Sequence, residues 1–532
     1  MMDKKTIWVV LGCLLAMFAW QWFVNWLFPP VPKRARSPVI SEVTNRVETA
    51  NGAQEVSQSS LSPPVLEPAA TAAVERRPEQ TVALENNHVR ITFSSWGGGI
   101  RSVELLQHAA RDGRVRLHAG DIPALAIRGL EEADFDVQVD GQTVTFRRAG
   151  IEKRFVLGDD YRLDCAVTVT HTNTATLLVG TAMPLEPHEP PDLLTIGWLV
   201  DTKYHYEGAK RLQEGPRHHQ GPLSWGAANN QFFTLLLTPR TNAVAIHCES
   251  ATVTVPAGWT GKPPPAVRAW LEVPLDGRGQ VEFTYYAGPK ELRRLLALGG
   301  GQEEVMHLGL FGPISLLLLR AMNGFHRLIP NYGVAIVLVT VCIKILFWPI
   351  QAKSIKAMKE MQKFQPVMAK LREKYKDDPQ KLNAEMMRLY KEHKINPFAG
   401  CLPMLVQIPF FIAFYAMLRS AVELRGASFL WINDLSQPDT ILRVAGLPIN
   451  PLPLLMGASM IWQMKLTPQT GDTQQQKIMM FMPLIFLFIC YNMASGLVLY
   501  WTVQQLLSIA QQWWSMRQPD TAPAPAAVSA NK

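Results

Sequence analysis

The segment VAIVLVTVCIKILFWPI, residues 334–350, decides the fold class of this 532-residue chain, because it is an apolar run with one charged residue, Lys344. An apolar helix of this kind matches a hydrocarbon core about 30 Å thick, so the segment predicts a membrane-spanning helix. Further apolar runs predict spans at residues 7–28, 398–418, 451–464, 478–493 and 496–515. We therefore predict a polytopic α-helical membrane protein with six transmembrane helices, which excludes a simple cytosolic enzyme.

A long region with the hydrophobic period of β-strands separates the first two spans. Residues 29–80 are rich in Pro, Ser, Glu and Ala and predict a flexible linker. From residue 81 the apolar residues alternate, as in Val89, Ile91 and Phe93, and this pattern predicts a large all-β sandwich over residues 81–300. Cys165 and Cys248 fall within it, and the sequence leaves open whether they form a disulfide or stay as buried thiols.

Charge decides the predicted orientation. Residues 351–396 carry 12 Lys and Arg against 6 Asp and Glu, and basic loops beside spans face the cytosol. Both chain ends are then cytosolic and the β-domain is periplasmic. The predicted order is a transmembrane anchor (1–28), the linker and β-domain, an interfacial amphipathic helix (305–330), a second transmembrane helix (333–351), a cytosolic basic helical hairpin (352–396), four further transmembrane helices (397–516) and a short cytosolic tail (517–532).

The basic segment has the pattern of two amphipathic helices, with a bend near Pro366. Asp378 as cap and Pro379 as first helical residue predict the start of the second helix. Two interpretations are open: the apolar stripes of the two helices pack together, or the methionine-rich stripe is a docking surface for a ribosome, a targeting receptor or a nascent chain. The stripe of the first helix is formed by Met358, Met361, Phe364, Met368 and Leu371.

Lys344 is the charged residue inside the second predicted span. It either snorkels to the interface or lines a water-filled cavity in the helical bundle, since buried intramembrane charges are costly. Thr340 lies one turn away, and Gln407 and Gln504 add polar groups to other spans. A hydrated internal groove is one interpretation of this set.

The motifs of common enzymes do not occur. The sequence holds no phosphate loop, dinucleotide fingerprint, zinc-protease helix or nucleophile elbow, so no catalytic residue, cofactor or metal site is predicted. His218-His219 is interpreted as an adjacent surface pair. Two alternative functions stay open: a transporter or channel for an anionic solute bound by Lys344, and an envelope enzyme with a sugar-processing β-sandwich.

Four segments carry a family resemblance. They are NPFAGCLPMLVQIPFF (396–411), SFLWINDLS (428–436), QQQKIMMFMPLIF (474–486) and SGLVLYWTVQQL (495–506). In this order and spacing, the membrane half resembles the YidC/Oxa family of membrane protein insertases, in the form found in Gram-negative bacteria. Residues 81–300 resemble that family's periplasmic sandwich by position, size and strand pattern.

The resemblance implies a function and a set of partners. It implies a protein that inserts and helps fold inner-membrane proteins, alone or with the Sec translocon, without enzyme activity. The implied partners are nascent membrane proteins, the Sec translocon, the ribosome or signal-recognition targeting machinery and membrane lipids, with no direct nucleic-acid binding.

The resemblance also implies site residues. It places a positive charge, here Lys344, in a lipid-open hydrophilic groove with Thr340 and Gln407, and it places Tyr500 and Trp501 near the substrate path. The family usually has arginine at the charged position. Lysine keeps the charge but lacks the planar fork that binds a carboxylate through two hydrogen bonds.

Overall fold

A computed structural model describes residues 77–110, 113–118, 120–170, 172–186, 189–253, 259, 262–376, 378–393, 402–444, 447–466 and 473–517. The predicted anchor 1–28, most of the linker and the tail after residue 517 lie outside the described residues. Every described residue belongs to one compact unit, Glu75–Lys532.

The amino-terminal half of the described chain is a large β-sandwich, as the sequence predicted. Among the described residues, β1 to β4 form one antiparallel sheet in sequence order. A larger sheet runs β5-β6-β7-β8-β16-β13-β12-β14-β15-β9, with β10 paired to β12 and β11 paired to β10. The strands are β1 Thr81–Glu85, β2 Val89–Ser94, β3 Gly99–Ala110, β4 Gly113–Leu117, β5 Asp136–Asp140, β6 Thr143–Arg148, β7 Ile151–Leu157, β8 Arg162–Val169, β9 Thr174–Ala182, β10 Thr195–Val200, β11 Lys203–Gly208, β12 Arg217–Asn229, β13 Phe233–Pro239, β14 Ala243–Ala251, β15 Ala266–Pro274 and β16 Gln280–Pro289.

Alternating apolar residues fill the space between the two sheets. Val89, Ile91 and Phe93 are all buried in the core, and Phe93 stacks on Phe155 with ring centroids 5.7 Å apart. The alternation fails at the sheet edge: Val139 in β5 is 44% exposed because this strand has a neighbour on one side only.

The two cysteines of the sandwich are free thiols. Cys165 and Cys248 are both buried and unpaired with each other. Burial raises the pKa of both thiols above the ordinary value, so they behave as small apolar groups.

Helices form the carboxyl-terminal half. The helix α10 contacts α4, α7 and α8, while α3 contacts α4 and α7. The helices are α1 Ala209–Gln213 and α2 Leu292–Leu298 in the β-domain, then α3 Gly312–Leu328, α4 Tyr332–Lys363, α5 Gln365–Lys374, α6 Pro379–Glu392, α7 Leu402–Ser420, α8 Pro451–Leu466, α9 Thr473–Cys490 and α10 Ser495–Arg517. A short hairpin of β17 Leu442–Val444 and β18 Leu447–Ile449 precedes α8.

The predicted spans that fall within the described residues correspond to helices, while the number of membrane crossings remains a prediction. Within the described residues, one helix, α4, is both long and apolar enough to cross a membrane by length and composition. The runs predicted from residues 398, 451, 478 and 496 fall in α7, α8, α9 and α10. The predicted interfacial segment falls mostly in α3, whose 17 residues have His326 and Arg327 in the last turn.

The helix that contains Lys344 is longer than the sequence indicated. It continues past Gln351 to Lys363, so the first helix of the basic hairpin is a continuation of the span. The apolar run stops near Ile350, but the following Lys, Ala, Met and Gln residues favour helix and contain no stop signal.

The predicted bend and cap of the hairpin are confirmed. The helix breaks at Phe364, with Pro366 in the first turn of α5. The Asp378 carboxylate accepts a hydrogen bond from the Lys381 backbone N–H at 3.1 Å, and α6 begins at Pro379. A side-chain acceptor at this position satisfies a backbone donor that the helix leaves free.

Candidate functional site

Lys344 is buried in the helical bundle and bound to neutral groups. Its side chain is 3% exposed. The ammonium Nζ donates to Gln351 Oε1 at 2.5 Å and to Ser508 Oγ at 2.8 Å. Lys344 and Gln351 lie seven residues apart on one face of α4, and Ser508 faces them from α10. The lysine therefore points into the bundle.

The carboxyl-terminal half of α10 supplies a polar face opposite Lys344. The Ser508 hydroxyl donates to the Gln504 backbone carbonyl at 2.8 Å, which leaves its oxygen lone pairs directed at Lys344. One turn further, Gln511 Nε2 donates to the Trp348 carbonyl at 3.5 Å. Gln504 itself is buried, and its Oε1 has no hydrogen-bond donor among the described residues. These groups form a polar strip between α4 and α10.

Thr340 is buried beside this strip, and its hydroxyl proton is used within its own helix. Its hydroxyl donates to the Ile336 carbonyl at 2.7 Å, one turn back in the same helix. Thr340 therefore lies one turn from Lys344 on α4, and the hydrogen bond that its hydroxyl donates stays within that helix.

Tyr500 and Trp501 lie in a cluster of aromatic rings contributed by α7, α9 and α10. Tyr500 stacks on Phe414 with centroids 4.1 Å apart, and Gln407 of α7 lies near its hydroxyl. Trp501 contacts Phe411 at 4.8 Å and Phe486 at 5.0 Å. Its indole Nε1 is buried without an acceptor among the described residues. This cluster forms an apolar surface that contains isolated polar atoms.

The hairpin residues predicted as a docking stripe are largely used inside the hairpin. Met361 and Met368 are buried against Leu389 of α6, and the Tyr390 hydroxyl donates to Met368 Sδ at 3.7 Å. Leu371 joins the same cluster. Phe364 contacts the His393 ring at 4.5 Å, and Met358 is half-buried. The packing of the two stripes against each other is thus observed.

Sequence reasoning missed several residues of the polar strip. Gln351, Ser508 and Gln511 contact Lys344 or its helix, yet each looked like an ordinary polar residue near a span end. A signal was present, because Gln504, Ser508 and Gln511 recur at helical spacing on one face of α10. The pairing of that face with α4 could not be seen, since 164 residues separate Lys344 from Ser508.

Apolar helices that bury a lysine in a polar strip, joined to a β-sandwich, indicate an α-helical membrane protein with a large extramembrane domain. Its helical bundle presents both polar and apolar groups. The sequence profile of the family described as "60Kd inner membrane protein" matches residues 324–522. This range contains the helical bundle from the end of α3 onward.

Named relatives extend the match to the rest of the chain. The membrane protein insertase YidC of Maridesulfovibrio salexigens is 31% identical over 563 aligned residues, which cover 97% of this chain and 99% of the relative. YidC of Nitratidesulfovibrio vulgaris (Miyazaki F) is 41% identical over 343 residues, 62% of this chain and 60% of the relative. A crystal structure titled as an active YidC insertase with its first transmembrane domain resolved aligns over 82% of this chain and 92% of its own, at 19% identity and a TM-score of 0.38.

The chain belongs to the YidC family of membrane protein insertases, which are bacterial inner-membrane proteins. This confirms the family that the four sequence segments resembled. It is an insertase family and not a family of catalytic enzymes.

Proposed function

We propose that this chain inserts membrane proteins into the inner membrane and helps them fold, with the polar strip around Lys344 as a groove open to cytosol and lipid. One observation carries the proposal. Lys344 is 3% exposed, its hydrogen-bond partners are the neutral Gln351 and Ser508, and it forms no ion pair within the described part of the chain. A buried cation without a counter-ion favours an incoming carboxylate.

The mechanism follows from the cost of moving polar chain through lipid. A short hydrophilic tail loses water as it crosses about 30 Å of hydrocarbon, and a hydrated strip shortens the dry path. Lys344 lowers this barrier for acidic tails and supplies no energy. The driving force is transfer of the substrate's apolar segment into lipid, at about 25 cal/mol per Å² of apolar surface. That segment would leave along α7 and α9, past Tyr500 and Trp501.

The proposed topology has six spans with both chain ends cytosolic and the β-sandwich periplasmic. The helix α3 would lie in the interface. Its exposed Leu317 (65%) and Leu328 (78%) support this placement, since such side chains favour the acyl region over water. The basic hairpin of α5 and α6 would face the cytosol.

The proposed partners are nascent membrane proteins and lipids, with the Sec translocon for larger substrates. Ribosomes or signal-recognition targeting machinery would approach the cytosolic hairpin. Because Met361 and Met368 are buried within the hairpin, we propose its basic outer surface, with Met358 at the edge, as the contact face.

The test is insertion into liposomes that contain only the purified chain. The substrate is a freshly made small membrane protein with a short acidic translocated tail, and the readout is protease protection of that tail. Lys344→Ala should reduce protection strongly, because an unpaired carboxylate at the bilayer centre costs about 2.5–3.5 kcal/mol on insertion scales and Lys344 offsets part of that cost. Lys344→Arg should retain protection, and a substrate whose tail acids are changed to amides should be affected little by either variant.

A matched control removes a lysine outside the strip. Lys465 lies exposed at the end of α8, and Lys465→Ala should leave protection unchanged. Equal losses from Lys344→Ala for acidic and amide tails would overturn the electrostatic role. If liposomes with the folded chain protect the substrate no better than empty liposomes, and if the chain also gives saturable anion flux, the transporter would be favoured instead.

A further inference from the structure

Two histidine rings face each other on the surface of the β-sandwich. His218 in β12 and His247 in β14 are direct cross-strand neighbours in the antiparallel register. Their Nδ1 atoms are 2.9 Å apart and their ring centroids 4.2 Å apart. The sequence suggested only an adjacent surface pair of His218 and His219, but these two residues point to opposite faces of the strand. His219 instead stacks on Trp198, at 4.4 Å between centroids.

The distance between the two nitrogens matches one coordination geometry. Metal–imidazole bonds are about 2.0–2.1 Å long, so two nitrogens 2.9 Å apart fit adjacent ligands at an angle of about 90°. Right angles between ligands are typical of square-planar or tetragonal copper(II) and nickel(II). Tetrahedral zinc would need the same nitrogens about 3.3 Å apart.

The two Nδ1 atoms face each other within hydrogen-bond distance, and the metal-binding form of each ring is the tautomer that carries its proton on Nε2. A Glu272 carboxylate oxygen lies 3.9 Å from His247 Nε2, the nitrogen that does not face His218.

Solvent can complete the coordination. His218 is exposed and His247 is 28% exposed, so an ion between them would remain open to water on its outer side. Within the described residues no group of three His, Cys, Asp or Glu side chains is placed to hold a metal, so the protein would supply two ligands.

We propose that His218 and His247 form a two-histidine chelating site for copper(II) or nickel(II). The bound ion cross-links β12 to β14 in the larger sheet of the β-domain. No residue of the proposed groove lies in that sheet. Because the ion binds the paired strands more tightly than the unfolded chain, it stabilises the β-domain by an amount that rises with the logarithm of its free concentration above the dissociation constant. The site is independent of substrate insertion.

The experiment uses the full chain in detergent, purified without a histidine tag. Nickel(II) is titrated by calorimetry, and copper(II) binding is followed by electron paramagnetic resonance, which reports the number of coordinating nitrogens. We expect one saturable site with two nitrogen ligands. His218→Ala and His247→Ala should each weaken binding at least about tenfold.

The matched control is His219→Ala, because this residue neighbours His218 on the opposite face. The His219→Ala variant should leave metal binding unchanged. Circular dichroism should show that all variants are folded. If an alanine variant is not folded, His218→Asn is measured in its place. Equal binding in the folded His218→Ala protein or an equal loss in His219→Ala would overturn the site. So would binding by the parent chain no stronger than that of a variant carrying both His218→Ala and His247→Ala. Zinc(II) binding tighter than copper(II) binding would overturn the assigned geometry.

Discussion

At the scale of single residues, Lys344 is a buried cation whose hydrogen-bond partners are neutral. Lys344 stands out because it interrupts an apolar run, which any chain would avoid without a compensating partner. Its partner Ser508 is an ordinary polar residue whose importance depends on the packing of α10 against α4. Thr340 shows the converse, since its residue type and spacing suited the groove while its hydroxyl bonds within its own helix.

A second buried lysine, in the β-domain, escaped the sequence analysis. Lys153 is fully buried, and its Nζ donates to the carbonyls of Gly97, Gly98 and Leu125 at 2.7, 3.0 and 3.1 Å. It ties the loop between β2 and β3 to the larger sheet. An alternating strand gives no sign that a lysine on its inner face will find three backbone acceptors.

We predict that Lys153→Met destabilises the β-domain. The substitution leaves three buried carbonyls without this donor, and one such group costs about 1–3 kcal/mol. The melting temperature of the full chain, followed by near-ultraviolet circular dichroism, should fall by several degrees at pH 7. The neighbouring exposed Arg154→Met should change stability by less than about 0.5 kcal/mol. An equal effect of the two variants would contradict the role of the carbonyl contacts.

The same lysine predicts a pH dependence. Burial lowers the pKa of Lys153 from 10.5 to about 7. Between these values the unfolded chain binds more protons than the folded chain, so the free energy of unfolding rises with pH across this window. Melting curves from pH 7 to 10 should show a smaller rise in Lys153→Met than in the parent chain. Lys290, whose pKa burial also lowers to about 7, retains part of the rise in both.

At the scale of elements, local signals located helix starts better than helix ends. The Asp378-Pro379 pair predicted the first residue of α6, because a capping acceptor followed by proline is a strong local signal. The end of α4 was misjudged at Gln351, since loss of hydrophobicity marks the end of the apolar segment and not the end of the helix. Helix propensity carries the backbone on to Lys363.

We predict that Asp378→Ala frays the first turn of α6. Loss of the hydrogen bond to the Lys381 N–H costs about 0.5–2 kcal/mol. Hydrogen exchange of residues 380–384 should become faster while exchange in α10 stays unchanged. Asp378→Asn keeps a good capping acceptor and should exchange like the parent chain. Equal exchange in the alanine variant would show that packing around Leu389 alone holds the turn.

At the scale of the whole molecule, charged and polar side chains link the β-sandwich to the helical bundle. Arg425, which follows α7, donates to the Ala109 carbonyl of β3 at 2.6 Å and lies 3.9 Å from Glu186. Arg419 pairs with Asp192, and Gln231 Nε2 donates to the Arg419 carbonyl at 2.9 Å. The sequence separated the two domains by their hydrophobic periods, but no local pattern could predict this junction, because its partners lie hundreds of residues apart.

The junction also contains an open cavity of about 180 Å³, lined by Glu186, Glu189, Arg419 and Arg425 together with apolar side chains such as Phe232 and Leu418. Burial raises the pKa of Glu189 to about 7. Because these charged groups lie around one cavity, the contact between the β-sandwich and the helical bundle depends on a small number of residues. Of these, Arg425 contacts both the β3 backbone and a carboxylate.

We predict that Arg425→Ala loosens the junction without unfolding either part. The substitution removes the donor to Ala109 and the guanidinium 3.9 Å from Glu186, and breaking a largely buried pair costs about 3–5 kcal/mol. Hydrogen exchange should accelerate in residues 105–110 and 422–427, and limited proteolysis should cut sooner between α2 and α3. Arg443→Ala, on the exposed β17 strand, should change neither measurement. If hydrogen exchange in Arg425→Ala equals that of the parent chain, apolar contacts hold the two domains together. If the variant inserts substrates normally although its junction is loosened, insertion does not need the docking of the β-domain.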